Sequence, residues 1–305
     1  MRVFVTGASG HVGSALLPDL IAAGHQVIGL ARSDDSTAAL RAAGADVHRG
    51  DLSDPASLRE GAAKADGVIH LAYNHDFNDL AAAAALDIAA IEAMGDALAG
   101  SDKPLLMTSG TLLLAMVAPG RLGTEDDGPK VGEYPNPRME CEVAALALVE
   151  RGVRVSVVRL SPTVHSDLDH HGFIPLLIEN ARSKGVAGYV GDGSNRWPAV
   201  HTRDAARLYR LGLESAPAGS RLHGVGDEGV PYRLIAETIG SQLGIPAASI
   251  AAEDAVDHFG FLGFLVGIDN PTSNTATREL VGWQPEHPGL IDDMKEGHYF
   301  ASATR

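Results

Sequence analysis

Eight residues near the amino end carry the sharpest chemistry in the chain: Thr6-Gly7-Ala8-Ser9-Gly10-His11-Val12-Gly13. Glycines at this spacing, after one apolar run and before an amphipathic one, suit a phosphate group. Gly7 permits a tight turn, Gly10 lets the backbone close on an anion, and Gly13 lets a helix approach a strand. The N–H groups at the start of that helix, with its dipole behind them, then face the charge. The chemistry implied is the holding of a dinucleotide's pyrophosphate. Where a ribose 2′-hydroxyl is held, an acid usually ends the second strand. Here Gly29-Leu30-Ala31-Arg32-Ser33 puts Ala31 at that place and Arg32 after it. A guanidinium fork with the Ser33 hydroxyl suits a 2′-phosphate, so NADP(H) is expected ahead of NAD(H). Asp34 and Asp35 are near enough in sequence to offset part of that charge. Asp51, after a third apolar run, is placed to accept from an adenine amino group; its plainer role is a turn cap.

Other reactive side chains give weaker patterns. His165, His170 and His171, with Asp167 and Asp169, have metal-binding types but no spacing that converges on one ion, so no metal is expected and a solvated entrance loop is the preferred reading. His165 follows a strand's end and could lie near a nicotinamide, whereas His201 is expected to support the helix after it. Cys141 sits in an apolar helical pattern and reads as a small buried hydrophobe. The glycine-hinged segment Phe259-Gly260-Phe261-Leu262-Gly263-Phe264-Leu265 leaves three readings: a lid, the patch of a homodimer, or ordinary core.

The elements that must position these groups follow from periodicity. Apolar runs at Arg2 to Val5, Gln26 to Leu30, Asp46 to His48, Val68 to Ala72, Leu105 to Thr108 and Val153 to Leu160 read as strands. Between them lie helical patterns from Val12 to Ile21, Ala38 to Ala43, after the cap pair Asp54-Pro55, from Leu80 to Leu98, and from Cys141 to Glu150. Strands alternating with helices and without hairpin signals predict an α/β fold with a doubly wound parallel Rossmann sheet. Residues 1–160 are expected to form that domain, with the sheet regaining a strand from later in the chain. Residues 161–305, with helices at Ile174–Arg182, Asp204–Glu214 and Arg233–Leu243, are expected to be a smaller region that mainly binds substrate.

Composition narrows the partners. The 305 residues hold 24 Lys and Arg against 39 Asp and Glu, a formal net charge of −15. A field of that sign repels nucleic acid and anionic membranes, which leaves a small-molecule substrate. One cysteine excludes an internal disulfide. Met1 leads straight into a strand, with no signal-peptide pattern, so the expected location is cytoplasmic.

Several motifs in order, Thr6-Gly7-x-x-Gly10-x-x-Gly13, Gly50-Asp51-Leu52, His70-Leu71-Ala72, Arg159-Leu160-Ser161-Pro162 and Trp197-Pro198-Ala199-Val200-His201-x-x-Asp204, resemble the short-chain dehydrogenase/reductase superfamily. The likeness is to its extended or atypical branch, similar to NAD-dependent epimerases and dehydratases, and covers nearly the whole chain. It implies cofactor contacts from Ser9, His11, Val12, Leu52, Leu71, Ala72, Tyr73 and Ser161 as well as from the residues above.

The superfamily uses a Ser, a Tyr and a Lys. The resemblance puts Ser109 at the serine's place, with Thr111 as its substitute. It puts Tyr134 and Arg138 at the two positions of the Tyr-x-x-x-Lys pair, so the lysine is replaced. Arg138 can lower a phenol's pKa and bond a ribose but cannot relay a proton as lysine does. Pro135 and Pro137 start the helix near residue 137, which leaves Tyr134 on the approach loop. The implied function is an NADP(H)-dependent oxidoreductase that interconverts a carbonyl and a secondary alcohol by hydride transfer. Ser109 would hold the oxygen and Tyr134 would donate the proton. The alternatives are a sugar-nucleotide epimerase or dehydratase with tightly bound NAD(P), and a redox-inert NADP sensor. The epimerase would need a diphosphate clamp, for which Arg182, Arg196, Arg203 and Arg207 are the candidates.

Overall fold

A computed structural model describes residues 1–75, 79–129, 132 and 136–301. The first part of the chain runs β1 (Arg2–Thr6), α1 (His11–Ala22), β2 (Gln26–Ala31), α2 (Asp34–Ala42), β3 (Asp46–Arg49), α3 (Pro55–Ala63), β4 (Gly67–His70), α4 (Leu80–Leu98), β5 (Pro104–Gly110), α5 (Leu114–Val117), α6 (Pro137–Ala147) and β6 (Arg154–Leu160). It continues with β7 (Thr163–His165), α7 (Phe173–Lys184), β8 (Ala187–Val190), β9 (Arg196–His201), α8 (Thr202–Ser215), β10 (Ser220–Gly224), β11 (Asp227–Pro231), α9 (Tyr232–Leu243), β12 (Ala247–Ile250), α10 (Ala255–Phe259), α11 (Thr275–Val281) and α12 (Leu290–Lys295).

Seven parallel strands form the main sheet in the order β3-β2-β1-β4-β5-β6-β10, which is the doubly wound α/β fold. Val3, Phe4 and Val5 of β1 are fully buried because helices cover both faces of a central parallel strand. On one face Leu16, Leu17 and Leu20 of α1 meet Leu208, Tyr209 and Leu213 of α8. On the other, Leu58 of α3, Ile91 and Met94 of α4, and Cys141 of α6 close a second apolar layer. Burial pushes the Cys141 thiol well above its ordinary range, so it is protonated and inert.

Local chemistry sets the ends of the elements. Asp54 accepts from the N–H groups of Ala56 and Ser57, with Pro55 in the first turn. Asn136 accepts from Arg138 N–H at 3.0 Å ahead of Pro137, so α6 begins at the expected proline. β4 stops at His70 rather than running on to Ala72. Leu71 N–H turns to the Thr6 carbonyl and Ala72 N–H to the Thr6 hydroxyl, which draws the backbone out of the sheet.

A second layer of structure follows β6. β7 pairs with β9 in parallel, β11 with β9 in antiparallel, and β8 with β12 in parallel. Its core gathers Ile174, Trp197, Tyr232 and Phe259. In the glycine-hinged segment, Phe259, Leu262 and Val266 are therefore core, while Phe264 is 72% exposed. No helix among the described residues is long and apolar enough to cross a membrane.

Candidate active site

The strand order reverses between β1 and β4, and the loops after these two strands open a crevice at the carboxyl edge of the sheet. Gly7 lies there at φ +66, and a Cβ on it would stand 2.8 Å from Ala72 N. A Cβ on Gly13 would collide with the carbonyls of Gly7 and Ala8, so α1 can approach β1 only with glycine there. Gly10 N–H donates to the Gly7 carbonyl at 2.9 Å and closes the turn. Gly10 is also the cap of α1 and has no side chain to offer its first N–H groups, which are left for an anion. The cradle fits a dinucleotide's pyrophosphate, with Ser9 exposed at its rim and Val12 packed into the core beneath. His11 turns sideways, its Nε2 2.8 Å from the Thr202 hydroxyl and its Nδ1 3.9 Å from Asp169.

At the far end of the crevice Ala31 is buried and Arg32 exposed. Asp34 pairs with Arg49 at 3.2 Å instead of neutralising Arg32. Ser33 caps α2, its hydroxyl accepting from Ser36 N–H at 3.1 Å. One Asp51 oxygen accepts from the N–H and hydroxyl of Ser53, at 2.9 and 2.6 Å. Those bonds, and to a smaller degree Arg32, hold its carboxyl below the ordinary range. Asp51 thus caps a turn and keeps its charge. Leu52 is half-buried beside it and packs on the α3–α4 layer.

The middle of the crevice holds a chain of polar groups that the motifs did not reveal. Ala72 N–H donates to Thr6 Oγ1 at 3.2 Å, Thr6 to His70 Nδ1 at 2.6 Å, and His70 Nε2 to Asp87 Oδ1 at 2.9 Å. Burial alone would raise the Asp87 carboxyl, but the His70 hydrogen bond and the charges of His70 and Arg138 hold it below the usual range. The other Asp87 oxygen faces Arg138 Nη1 at 3.6 Å. Arg138 Nη2 donates to the Thr108 carbonyl at 2.9 Å, and its guanidinium lies over the Tyr73 ring at 3.4 Å. Tyr73 and Arg138 are therefore brought together, with Leu71 and Ala72 in the same turn. One signal for Asp87 was present in the sequence. It shares the spacing of Ala83, Ala84, Ala90, Ile91 and Met94, the buried stripe of α4.

Ser109 takes another course. Its hydroxyl, 4% exposed, donates to Glu142 Oε1 at 2.6 Å. Glu142 in turn receives a two-bond fork from Arg159, at 2.9 and 2.7 Å. Arg159 also donates to the Asp127 carbonyl at 2.7 Å and reaches His223 Nε2 at 3.3 Å. Ser109 is thus anchored in a buried ion-pair network one helical turn of α6 beyond Arg138. Thr111, the substitute, is buried and receives Asn270 Nδ2 at 3.3 Å. Ser161 bonds back to the Gly224 carbonyl at 2.8 Å and ties the end of β6 to β10. Tyr134 lies outside the described residues.

The network has a consequence for pH. Burial first, then Arg159, lowers His223 to about 3, and burial lowers His201 to about 4. Both folded values lie below the ordinary 6.5, so the unfolded chain binds more protons in that interval. Their contribution to stability is present above pH 6.5 and falls away as pH drops toward 4 and 3. Urea midpoints measured from pH 7.5 to 4 should decline from about pH 6.5, well before the carboxylates titrate, and His223→Gln should remove part of that slope. A flat profile down to pH 5 would contradict the buried neutral imidazoles.

The geometry has counterparts among known proteins. Over 300 residues the chain is 47% identical to an uncharacterized protein of Schizosaccharomyces pombe, covering 98% of this chain and 100% of that one. It is 28% identical, across 85% of this chain and 80% of the other, to the 4-hydroxy-2-methyl-3-oxo-4-farnesyl-3,4-dihydroquinoline-1-oxide ketoreductase of Stigmatella aurantiaca. Among solved structures, the dTDP-glucose 4,6-dehydratase of Streptomyces venezuelae, with NAD bound, superposes with a TM-score of 0.77 at 18% identity. That match covers 99% of this chain and 98% of the other and shows the shared fold. The model of the NAD dependent epimerase/dehydratase family matches residues 3–223, from β1 almost to the end of β10. The chain belongs to the NAD dependent epimerase/dehydratase family, and it is an oxidoreductase or epimerase of the short-chain dehydrogenase/reductase type that uses a nicotinamide cofactor.

Proposed function

We propose that the protein is an NADP(H)-dependent reductase that interconverts a carbonyl and a secondary alcohol on a small molecule. The observation that carries this reading is Arg138, a permanent cation fixed at the crevice by the Tyr73 ring, the Thr108 carbonyl and Asp87. When bound, the nicotinamide supplies the two-electron redox chemistry. Gly7, Gly10 and Gly13 shape the cradle for its pyrophosphate, Arg32 and Ser33 meet a 2′-phosphate, and Asp51 meets the adenine. Arg138 orients the nicotinamide ribose and stabilises negative charge at a substrate oxygen. Tyr134 is the proton donor in this reading, and Ser109 holds α6 in place through Glu142 rather than touching substrate.

The sugar-nucleotide alternative needs a diphosphate clamp, and three of its four candidates are already neutralised. Arg196 pairs with Asp269, Arg203 with Asp167 and Arg207 with Glu286, while Arg182 reaches only the Phe300 carbonyl. The Stigmatella relative, named a ketoreductase, points the same way as the reductase reading.

The test is oxidation of NADPH and of NADH against a panel of aldehydes and ketones, in wild type and Arg32→Ala. Wild type should turn over with NADPH preferred. Arg32→Ala should weaken NADPH about 10–100-fold, from roughly 1.5–3 kcal/mol for hydrogen bonds to a charged group, and leave NADH unchanged. NAD retained through purification would favour the epimerase, and tight NADPH binding without turnover would favour the sensor.

A further inference from the structure

Far from one another in sequence, His165, His201 and His287 meet around a cavity of about 120 Å³ that Asp204, Gly226, Asp227 and Gly289 also line. A volume of that size holds an ion with water, since one water occupies about 30 Å³ of liquid. No lysine or arginine lines it.

The hydrogen bonds fix each ring. His165, 1% exposed, donates from Nδ1 to Asp293 at 2.9 Å, and its buried Nε2 has no hydrogen-bond partner. His287 donates from Nδ1 to Asp204 at 2.9 Å, which leaves a lone pair on its Nε2. Asp204 is itself held by the N–H groups of Glu286 and His287. His201 differs: its Nδ1 accepts Arg203 N–H at 3.2 Å, so its proton sits on Nε2. The His201 and His287 rings stack at 4.5 Å, and the His165 ring stands edge-on to His201 at 5.5 Å. Ligating atoms of His201, Asp204 and His287 lie within 4.8 Å of one another.

We propose that this cavity binds a divalent transition metal of the zinc class. His165 Nε2 and His287 Nε2 are the nitrogen ligands, and His201 donates from Nε2 to a water or anion on the ion. Three features support a metal over an organic cation. Two imidazole lone pairs face one cavity, each ring is oriented by a carboxylate behind it as in metal sites, and imidazole suits zinc, copper and nickel. His287, 38% exposed in its side chain, lies at the entrance. The ion would lock the 285–289 turn against the ends of β7 and β9, away from the glycine cradle, so the site does not depend on the proposed reductase chemistry.

The test is calorimetric titration of untagged, EDTA-treated protein with zinc, repeated with cobalt to read its visible absorption band. Wild type should bind one ion per chain and melt at a higher temperature in its presence. His287→Ala and His165→Gln should each weaken zinc by about tenfold or more, while His170→Ala, at an exposed neighbour outside the cavity, should not. Circular dichroism identifies any variant that fails to fold, and His287→Gln at the partly exposed position then stands in for it. No zinc bound by wild type, or equal affinity in folded His287 and His165 variants, would overturn the proposal.

Discussion

Arg138→Ala is expected to lower kcat/KM for the carbonyl substrate by about 10²–10³-fold, the usual loss when one preorganised donor is removed from a charge-stabilising site. Three contacts make the loss large: the Tyr73 ring at 3.4 Å, the Thr108 carbonyl at 2.9 Å and the Asp87 carboxylate at 3.6 Å all hold the guanidinium still. Arg138→Lys should recover only part of the activity. An ammonium keeps the charge but can neither lie flat on the ring nor fork. The discriminating measurement is NADPH affinity beside turnover. Activity lost with binding and melting temperature little changed places Arg138 in the chemistry. A parallel fall in stability would make it a structural clamp. Turnover equal to wild type would sink its role in the site.

The second large effect is on folding. Glu142→Ala leaves the Arg159 guanidinium, 1% exposed, without its carboxylate in the core. Breaking a buried pair in this way costs about 3–5 kcal/mol, a large share of the roughly 5–15 kcal/mol that holds a typical protein folded. Ser109→Ala removes one neutral donor to the same carboxylate and should cost only about 1 kcal/mol. Urea unfolding of both variants separates the two. A small penalty at Glu142 would mean that water reaches Arg159 in solution. The Ser109 variant also tests the reductase reading, because a hydroxyl that works through Glu142 should cost little activity when removed.

What the sequence made legible was whatever short-range chemistry determines. The glycine loop, the Asp54 and Asn136 caps and the Val-rich strands follow from neighbours along the chain, and their places agreed with expectation. The centre of the site was harder to read because it is assembled across the sheet. Thr6, His70 and Asp87 come from β1, β4 and α4, and nothing local in an alanine-rich helix says that its one inward acid meets a histidine from another strand. Ser109 has the right type at the right strand end, yet its environment depends on Glu142 and Arg159, which no spacing rule couples to it. Histidines tell the same story. The neighbouring His170 and His171 suggested a cluster that stays at the surface, whereas His201 and His287, far apart in sequence, stack ring on ring.

The last strand of the main sheet has a consequence for how the chain is made. β10 hydrogen-bonds along β6 from Ser156 to Leu160, and α8, also late in the chain, covers the face beside it. During synthesis Val155, Val157 and Val158 therefore emerge long before the strand that shields their edge. A fragment cut near residue 160 would display that edge as an open template for pairing with other copies. Such a fragment should aggregate rather than behave as an independent cofactor-binding unit, and the nascent chain must either delay β6 or keep it guarded until residue 224 has been made.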